Sequence, residues 1–351
     1  MKSRRTFFRS IIGVSAASLL PFSIFSNVKQ NDKTTETIKP KRLKKGDTIG
    51  LIAPGYAVKP DVLEKAKDTL VKMGFIPYHT ERLLWNYGYF SNTDTERAAD
   101  VNEMFANPNV DGILCARGGY GCTRIMHLLD YELIKNNPKV LVGFSDITAL
   151  ANGIYSETGL VTFHGPVGST LDDDYSIQQL ENVIIYPENQ LLIKNAVLED
   201  DTLLNNPEFD RYTITPGKST GKLVGGSLTL INALIGTPHE IDFTDAIIFI
   251  EDVEEAPYRI DRMLTQLIQS ATFKHAAGIM VGVCNGCDKP AASGSFTLRE
   301  VILDRLKPLN IPAAYGMSFG HVKNNMTLPI GINATFDADK MTLKLQEKAV
   351  I

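Results

Sequence analysis

Short, continuous apolar runs alternate with amphipathic segments from residue 47 onward, and this alternation constrains the fold more than any other feature of the chain. Runs at 48–53, 111–116 and 140–144 have the nearly unbroken apolar character of parallel strands that are covered on both faces. Each is followed by a helical pattern, most clearly at 147–155. This alternation predicts an open parallel sheet with helices on both faces, whose ligands lie beyond the carboxyl ends of the strands.

Ser145 lies where the strand at 140–144 meets the following helix, and it is the candidate nucleophile. We expect it to cap that helix, where unpaired N–H groups and the helix dipole favour developing negative charge. Gly143 would permit a sharp turn before it. The alternative is that Ser145 is only an N-cap, a role that serine often fills, because Ile147 replaces the second glycine of the G-x-S-x-G motif.

The length of 351 residues exceeds what one hydrophobic core usually holds, so two domains are expected. We assign residues 44–167 to an N-terminal nucleophile domain and 217–351 to a C-terminal domain. The more polar stretch at 168–216 is interpreted as an interdomain connection. In the C-terminal domain, a strong buried strand at 246–250 ends directly at Glu251.

The N-terminal segment has a different pattern. Arg4 and Arg5 precede an apolar run at about 11–25 that small residues and a proline interrupt. Residues 1–30 therefore resemble a twin-arginine export signal, and 31–43 read as a polar linker. The run is shorter than the ~20 apolar residues that a membrane span needs. We expect export to the periplasm or cell envelope without a stable membrane span, or a cytoplasmic location if the signal is not functional.

The charge balance and the cysteines argue against two classes of site. A formal net charge of −4 offers no broad basic surface for nucleic acid. Cys284 and Cys287 form a C-x-x-C pair, whereas Cys115 and Cys122 lie far away in the sequence. A structural zinc site needs four ligands and there is no second such pair, so we expect no metal. A disulfide between Cys284 and Cys287 would be compatible with an oxidising compartment.

A serine nucleophile needs a base and a group that orients the base. Of the six histidines, His321 has the most loop-like surroundings, and His164 is the second candidate. Glu251 is the candidate orienting carboxylate, because the apolar strand before it would hold it at the rim of a buried sheet. Its competitors are Asp252, Glu254 and Glu255.

A glycine-rich turn at 117–121 follows one of the predicted strands and would lie on the same rim as Ser145. It matches neither G-x-G-x-x-G nor the P-loop, and no lysine follows where a phosphate site would need one. An oxyanion hole is therefore the better interpretation of this turn.

Four motifs, in the same order, resemble those of the serine LD-carboxypeptidases, which are murein tetrapeptide carboxypeptidases. They are Ala116-Arg117-Gly118-Gly119-Tyr120-Gly121, Gly143-Phe144-Ser145-Asp146-Ile147-Thr148, Glu251-Asp252 with Pro257-Tyr258-Arg259-Ile260-Asp261-Arg262, and Gly320-His321 with Leu328-Pro329-Ile330-Gly331. The resemblance spans about residues 44–336 and implies release of the terminal D-alanine from a murein peptide substrate.

By that resemblance, Ser145 would be the nucleophile, His321 the general base and Glu251 the carboxylate that orients it. The backbone N–H groups of Gly118 and Asp146 would form the oxyanion hole. The family's fold is similar to the predicted one: an N-terminal doubly wound (flavodoxin-like) parallel sheet with a second, smaller C-terminal α/β domain, commonly in a homodimer. Members of the family need no metal, and no cofactor is expected.

Two alternatives stay open from the sequence. The same motifs occur in relatives that resemble microcin C self-immunity proteins, which cleave an amide between a peptidyl part and a nucleotide-like group, and the triad alone cannot separate these substrates. The other alternative is an exported, two-lobed peptide-binding protein. Such a protein would need no catalytic serine, so its function would survive Ser145→Ala.

Overall fold

The computed structural model describes residues 36–289 and 292–351. The predicted export signal at 1–30 and the first part of the linker at 31–43 lie outside the described residues. Among the helices of the described part, none combines the length and the apolar character that crossing a bilayer requires.

The N-terminal half alternates strands and helices as the apolar pattern predicts. Its elements are β1 (Thr48–Ile52), α1 (Pro60–Lys72), β2 (Ile76–Tyr78), α2 (Asp94–Ala106), β3 (Gly112–Cys115), α3 (Cys122–Ile125), α4 (Tyr131–Asn136), β4 (Val140–Gly143), α5 (Ile147–Thr158) and β5 (Thr162–His164). Two short 3-10 helices, Glu81–Leu84 and Met126–Leu128, lie between them.

The remainder of the described chain contains both helices and longer strands. Its elements are α6 (Asp174–Ile184), β6 (Leu192–Lys194), α7 (Asp201–Leu204), β7 (Tyr212–Thr215), β8 (Lys218–Ser227), α8 (Leu228–Leu234), β9 (Ile247–Glu251), α9 (Pro257–Gln269), β10 (Gly278–Gly282), α10 (Leu298–Leu306), β11 (Ala313–Met317), β12 (Leu328–Ile330), β13 (Asn333–Asp337) and β14 (Thr342–Leu345). Three further 3-10 helices are Pro207–Phe209, Phe273–His275 and Lys307–Leu309.

The first sheet has the strand order β2-β1-β3-β4-β5, with all neighbours parallel. This is the flavodoxin-like order, so the predicted fold class is confirmed. The strand β12 closes the sheet antiparallel to β5, although it comes from the C-terminal part of the chain. Because the parallel strands share one direction, the residues that follow β1, β3 and β4 meet along one rim.

The second sheet has eight strands in the order β6-β14-β13-β8-β9-β10-β11-β7. Its centre, from β8 to β11, is parallel, and its flanks are antiparallel. The stretch at 168–216, which the sequence predicts to be a connection, supplies both edge strands, β6 and β7. All five residues of β9 are buried, including the glutamate that ends it.

The helix α5, which follows β4 of the first sheet, packs against the start of α8 and the end of β8. The Oγ1 atom of Thr148 accepts a hydrogen bond from the N–H of Ser227 at 2.9 Å. A Cβ atom on Gly226, where φ is +139°, would lie 2.3 Å from that same oxygen, so only glycine allows this approach. Ser227 pairs with Glu251 across the parallel ladder. The contact therefore brings the helix after Ser145 next to the strand that ends at Glu251.

Candidate active site

Ser145 occupies the tip of a tight turn between β4 and α5. Its φ of +65° lies in the left-handed region, which is strained for a residue with a side chain. A Cβ on Gly143 would lie 2.8 Å from the Cγ2 atom of Ile147, so glycine there lets the helix fold back over the strand. The prediction that Ser145 caps α5 is wrong. Asp146 is the N-cap residue, without a side-chain capping bond, because the left-handed turn delays the helix by one residue.

The structure brings Ser145, His321 and Glu251 together from three separate parts of the chain. The Ser145 Oγ atom lies 3.0 Å from Nε2 of His321, and Nδ1 of the same ring lies 2.8 Å from Oε2 of Glu251. A carboxylate can only accept, so Nδ1–H donates to Glu251 and Nε2 is left free to accept the serine proton. Glu251 is fully buried, whereas the His321 side chain is 22% exposed.

The backbone around His321 is shaped to fit Glu251. Gly320 has φ +107°, and a Cβ atom there would lie 2.6 Å from Oε2 and 2.8 Å from Cβ of Glu251. The backbone carbonyl of His321 accepts a hydrogen bond from Nδ2 of Asn285 at 3.2 Å. The ring of Phe144 meets the imidazole edge to face, with centroids 4.9 Å apart. Together these contacts fix the ring plane between serine and carboxylate.

The pKa of His321 reflects two opposing effects. Burial lowers it, but the charge of Glu251 and the hydrogen bond to that carboxylate outweigh burial, so the pKa is raised above its ordinary value. A raised pKa means that the imidazolium is stabilised at this place. The site can therefore hold the proton that leaves a serine during nucleophilic attack.

The glycine-rich turn after β3 lies directly against the serine. A Cβ on Gly118 would lie 2.9 Å from Cβ and 3.1 Å from Oγ of Ser145, so no side chain fits. The carbonyl of Gly118 accepts a hydrogen bond from the N–H of Tyr56 at 3.2 Å. Within the described residues, the N–H groups of Gly118 and Asp146 have no hydrogen-bond acceptor. Both are thus donors available beside the serine hydroxyl.

The carboxylate of Asp146 anchors this turn to the start of α5. It is buried, and its Oδ2 atom accepts a hydrogen bond from the N–H of Cys122 at 2.9 Å. Burial raises the pKa of Asp146 above its ordinary value. The side chain of Asp146 therefore has a structural use, separate from that of its backbone N–H.

The other candidates for the orienting carboxylate and the base do not contact Ser145 or His321 through hydrogen bonds in the described chain. Oδ2 of Asp252 accepts from both the N–H and the hydroxyl of Thr229 at 2.8 Å, and burial raises the pKa of Asp252 to about 6. Glu255 pairs with Arg259 at 3.3 Å. His164, the second candidate base, is buried and has no hydrogen-bond partner among the described residues. Among the described residues, Glu254 makes no hydrogen bond to the ring of His321, which pairs with Glu251.

Sequence reasoning did not identify the contacts that hold this geometry, although Thr148 and Gly320 stand in the motifs that carry the family resemblance. The contact of Thr148 with Ser227 and the close approach at Gly226 join the two sheets, and Gly320 admits the Glu251 carboxylate. For Gly226, the sequence signal was a pair of adjacent glycines after an apolar run. A glycine in a sequence shows that a side chain is absent but does not identify the neighbour that needs the space.

A cavity of about 400 Å³ opens beside the loop that carries His321, a volume within the usual range for ligand sites. Its wall includes Val322 and Lys323, which directly follow His321, and Arg211. The guanidinium of Arg211 donates to the carbonyl of Ala196 at 2.7 Å and to the hydroxyl of Ser318 at 3.2 Å. Within the described residues no carboxylate pairs with Arg211, so it can receive one from a ligand.

The described residues contain no cluster of three histidine, cysteine or carboxylate side chains that could hold a metal ion. The four cysteines are buried and free, so Cys284 and Cys287 do not form the disulfide that the sequence left open.

Comparison with known proteins identifies similar chains along nearly the whole described region. Models of the LD-carboxypeptidase N-terminal and C-terminal domains match residues 49–165 and 220–336. The probable murein peptide carboxypeptidase of Bacillus subtilis is 37% identical over 88% of this chain and 94% of its own length. The microcin C7 self-immunity protein MccF of Escherichia coli is 28% identical over 86% of this chain and 94% of its own. The crystal structure of an MccF-like protein from Bacillus anthracis, 29% identical, superposes with a TM-score of 0.78 over 89% of this chain and all of that one.

Proposed function

The chain belongs to the LD-carboxypeptidase family and is a serine peptidase with a carboxypeptidase function, and we propose that it releases the terminal D-alanine from murein tetrapeptides. The observation that carries this proposal is the hydrogen-bonded chain from Ser145 through His321 to Glu251. The similarity to a murein peptide carboxypeptidase supports the substrate class.

In the proposed reaction, Ser145 attacks the carbonyl carbon that joins the diamino acid to D-alanine, while Nε2 of His321 takes the hydroxyl proton. The carbonyl oxygen becomes an oxyanion, and in this proposal the N–H groups of Gly118 and Asp146 stabilise it. Glu251 stabilises the positive charge on the imidazole ring, in keeping with the raised pKa of His321.

The tetrahedral intermediate then collapses. His321 returns its proton to the nitrogen of D-alanine, the C–N bond breaks, and the tripeptide stays attached to Ser145 as an ester. A water molecule attacks this ester with His321 again acting as the base. The acyl–oxygen bond breaks, the serine regains its proton, and the tripeptide leaves with a new carboxylate.

In the cavity beside His321, Arg211 is a group that can bind a carboxylate of the substrate. Murein peptides have several, and the exposed Arg211, which has no acidic partner in the described chain, can bind one through its Nε or Nη1 group, because its Nη2 group already donates to Ala196 and Ser318. The same wall carries Lys323 and the carboxylates of Asp173, Asp174, Glu199 and Asp200, so the cavity presents charges of both signs. We propose that this cavity receives the part of the peptide on the acyl side of the scissile bond.

A second candidate is the hydrolysis of peptidyl-nucleotide amides, as the similarity to the microcin C7 self-immunity protein suggests. The same Ser145, His321 and Glu251 would carry out that reaction, so the distinction lies in the cavity and not in the triad. Membership in a serine peptidase family argues against the non-enzymatic peptide-binding alternative.

We further propose that the enzyme acts in the cell envelope. The support is the sequence pattern of Arg4 and Arg5 before an apolar run. The homodimer stays a prediction from the family resemblance.

The deciding experiment incubates purified protein with a murein tetrapeptide and, in parallel, with a peptidyl-nucleotide amide. Mass spectrometry should detect the tripeptide and free D-alanine from the first. Ser145→Ala and His321→Ala should each lower kcat by several orders of magnitude, and the double variant hardly further, because the two residues act as a unit. Cleavage of only the nucleotide amide would select the second candidate, and turnover by Ser145→Ala would reject the mechanism.

A further inference from the structure

His164 lies behind the catalytic residues in a closed aromatic compartment. It ends β5 and pairs with Gly143 of β4, two residues before Ser145. The imidazole is only 1% exposed, and its ring centroid lies 5.2 Å from that of Phe249. Phe144 and Phe319 pack around it at 6.0 and 6.2 Å. Neither ring nitrogen has a hydrogen-bond partner in the described chain, which is rare for a buried polar group.

The carboxylate of Glu251 has an unpartnered oxygen at the same depth. Oε2 accepts from His321, whereas Oε1 is buried and has no donor among the residues described. Phe249 and Glu251 are two residues apart on β9, so their side chains project to the same face of the strand. The ring of His164 packs on Phe249, which places an unpaired donor on the same face as an unpaired acceptor.

The compartment has one more unsatisfied group. The hydroxyl of Thr327 is buried without a partner, and it lies 3.0 Å from where a Cβ on Gly165, the residue after His164, would be. A buried carboxylate oxygen without a donor destabilises the folded state, so such groups are normally satisfied directly or by an internal water with 2–4 polar partners.

We propose that His164 is a positioning residue for the reaction: its ring N–H donates to Oε1 of Glu251 through one buried water. This holds the carboxylate so that Oε2 stays aimed at Nδ1 of His321. The inference rests on the proposed function, because it assigns Glu251 the task of orienting His321.

A histidine suits this task because it is neutral here. Burial lowers the pKa of His164 to about 4, so near neutral pH the ring donates one N–H without carrying a charge. A positive charge at this place would compete with His321 for Glu251 and would weaken the base. A neutral donor fixes the carboxylate and leaves its negative charge for the imidazolium of His321.

The test compares kcat and KM for His164→Phe and His164→Gln with the wild-type enzyme. Phenylalanine fills the aromatic compartment but cannot donate, so kcat should fall roughly ten- to a hundredfold with KM unchanged. Glutamine keeps an N–H donor and should recover part of the loss. His275→Phe, the same change at an exposed histidine in the turn before β10, is the matched control and should leave kcat as it is.

A double-mutant cycle separates positioning from packing. If His164 acts through Glu251, adding His164→Phe to Glu251→Ala should change kcat little, because the oxygen it serves is already gone. Wild-type kcat in His164→Phe, or losses that multiply in the double variant, would overturn the inference. Should His164→Phe not fold, a high-resolution crystal structure of the wild type decides, since Oε1 bonded to a donor other than His164 or its water contradicts it.

Different results would refute the proposed function and the proposed role of His164. A wild-type enzyme without tetrapeptide turnover, or with full turnover after Ser145→Ala, refutes the proposed function. Normal turnover that His164→Phe leaves intact refutes only the role of His164.

Discussion

Gly320→Ala isolates the contribution of the His321–Glu251 hydrogen bond without removing either partner. The new methyl carbon would lie 2.6 Å from Oε2 and 2.8 Å from Cβ of Glu251, closer than nonbonded atoms tolerate. Glu251 is the fully buried last residue of β9 and cannot retreat without moving that strand. The carboxylate must therefore rotate, and the 2.8 Å bond to Nδ1 of His321 lengthens or breaks.

Two effects of this substitution can be estimated separately. Loss of a hydrogen bond to a charged group costs about 1.5–3 kcal/mol, which corresponds to a fall in kcat of roughly ten- to a hundredfold. The backbone at φ +107° adds strain of about 1–3 kcal/mol to the folded state for a residue with a side chain. That strain should lower the unfolding temperature by a few degrees.

The matched control is Gly46→Ala. Gly46 has φ +92° but nothing within 4 Å of its prospective Cβ, so it reports backbone strain without a clash. It is exposed and precedes β1, at the opposite end of the strand from the catalytic rim. Both variants should lose stability in thermal unfolding, and only Gly320→Ala should lose kcat in the tetrapeptide assay. Equal kcat in the two variants would refute the view that Gly320 exists to admit the Glu251 carboxylate.

Three further predictions test the base, the cavity and the export signal. Glu251 raises the pKa of His321, so Glu251→Gln should lower that pKa and move the acidic limb of the kcat/KM profile to lower pH; an unmoved limb would contradict the pairing. Arg211→Gln should raise KM about tenfold or more with kcat nearly unchanged, because it removes a charged hydrogen-bond donor from the cavity wall; steady-state kinetics with unchanged KM would exclude the cavity as the peptide site. A reporter fused to residues 1–35 should be exported, and replacing Arg4 and Arg5 by Lys should stop it; export that persists would indicate the general secretory route.

The parallel sheet was predictable because its central strands are short, continuous apolar runs with helices between them. The runs before Ser145 and Glu251 are buried at every position. A short apolar run that is covered on both faces is typical of a central parallel strand. The strand β12 was not assignable, because Leu328–Ile330 is a short apolar segment that could have joined either sheet. The edge strand β6 has only one buried residue out of three, so it leaves a weak pattern in a polar stretch.

The candidate residues of the site were visible in the sequence for a physical reason, but their arrangement was not. A serine at a strand–helix junction and a glutamate at the end of an apolar strand are local features. The distances between them depend on how two sheets dock, and that docking rests on Thr148 and Gly226, which carry no chemical signature of their own. The left-handed conformation of Ser145 is likewise imposed by the turn, since serine has no intrinsic preference for it.

The proposed hydrolytic groups and the proposed peptide cavity are built from different parts of the fold. The hydrolytic groups are fixed by close glycine contacts at Gly118, Gly226 and Gly320, where a single methyl group would collide with a neighbour. The cavity wall, by contrast, includes Arg211 and Lys323, whose side chains extend from segments outside the central parallel strands. Replacing such side chains changes the charge and shape of the cavity and leaves Ser145, His321 and Glu251 in place. We therefore expect that changes in the cavity wall alter the substrate preference proposed for this chain without disturbing the proposed catalytic groups.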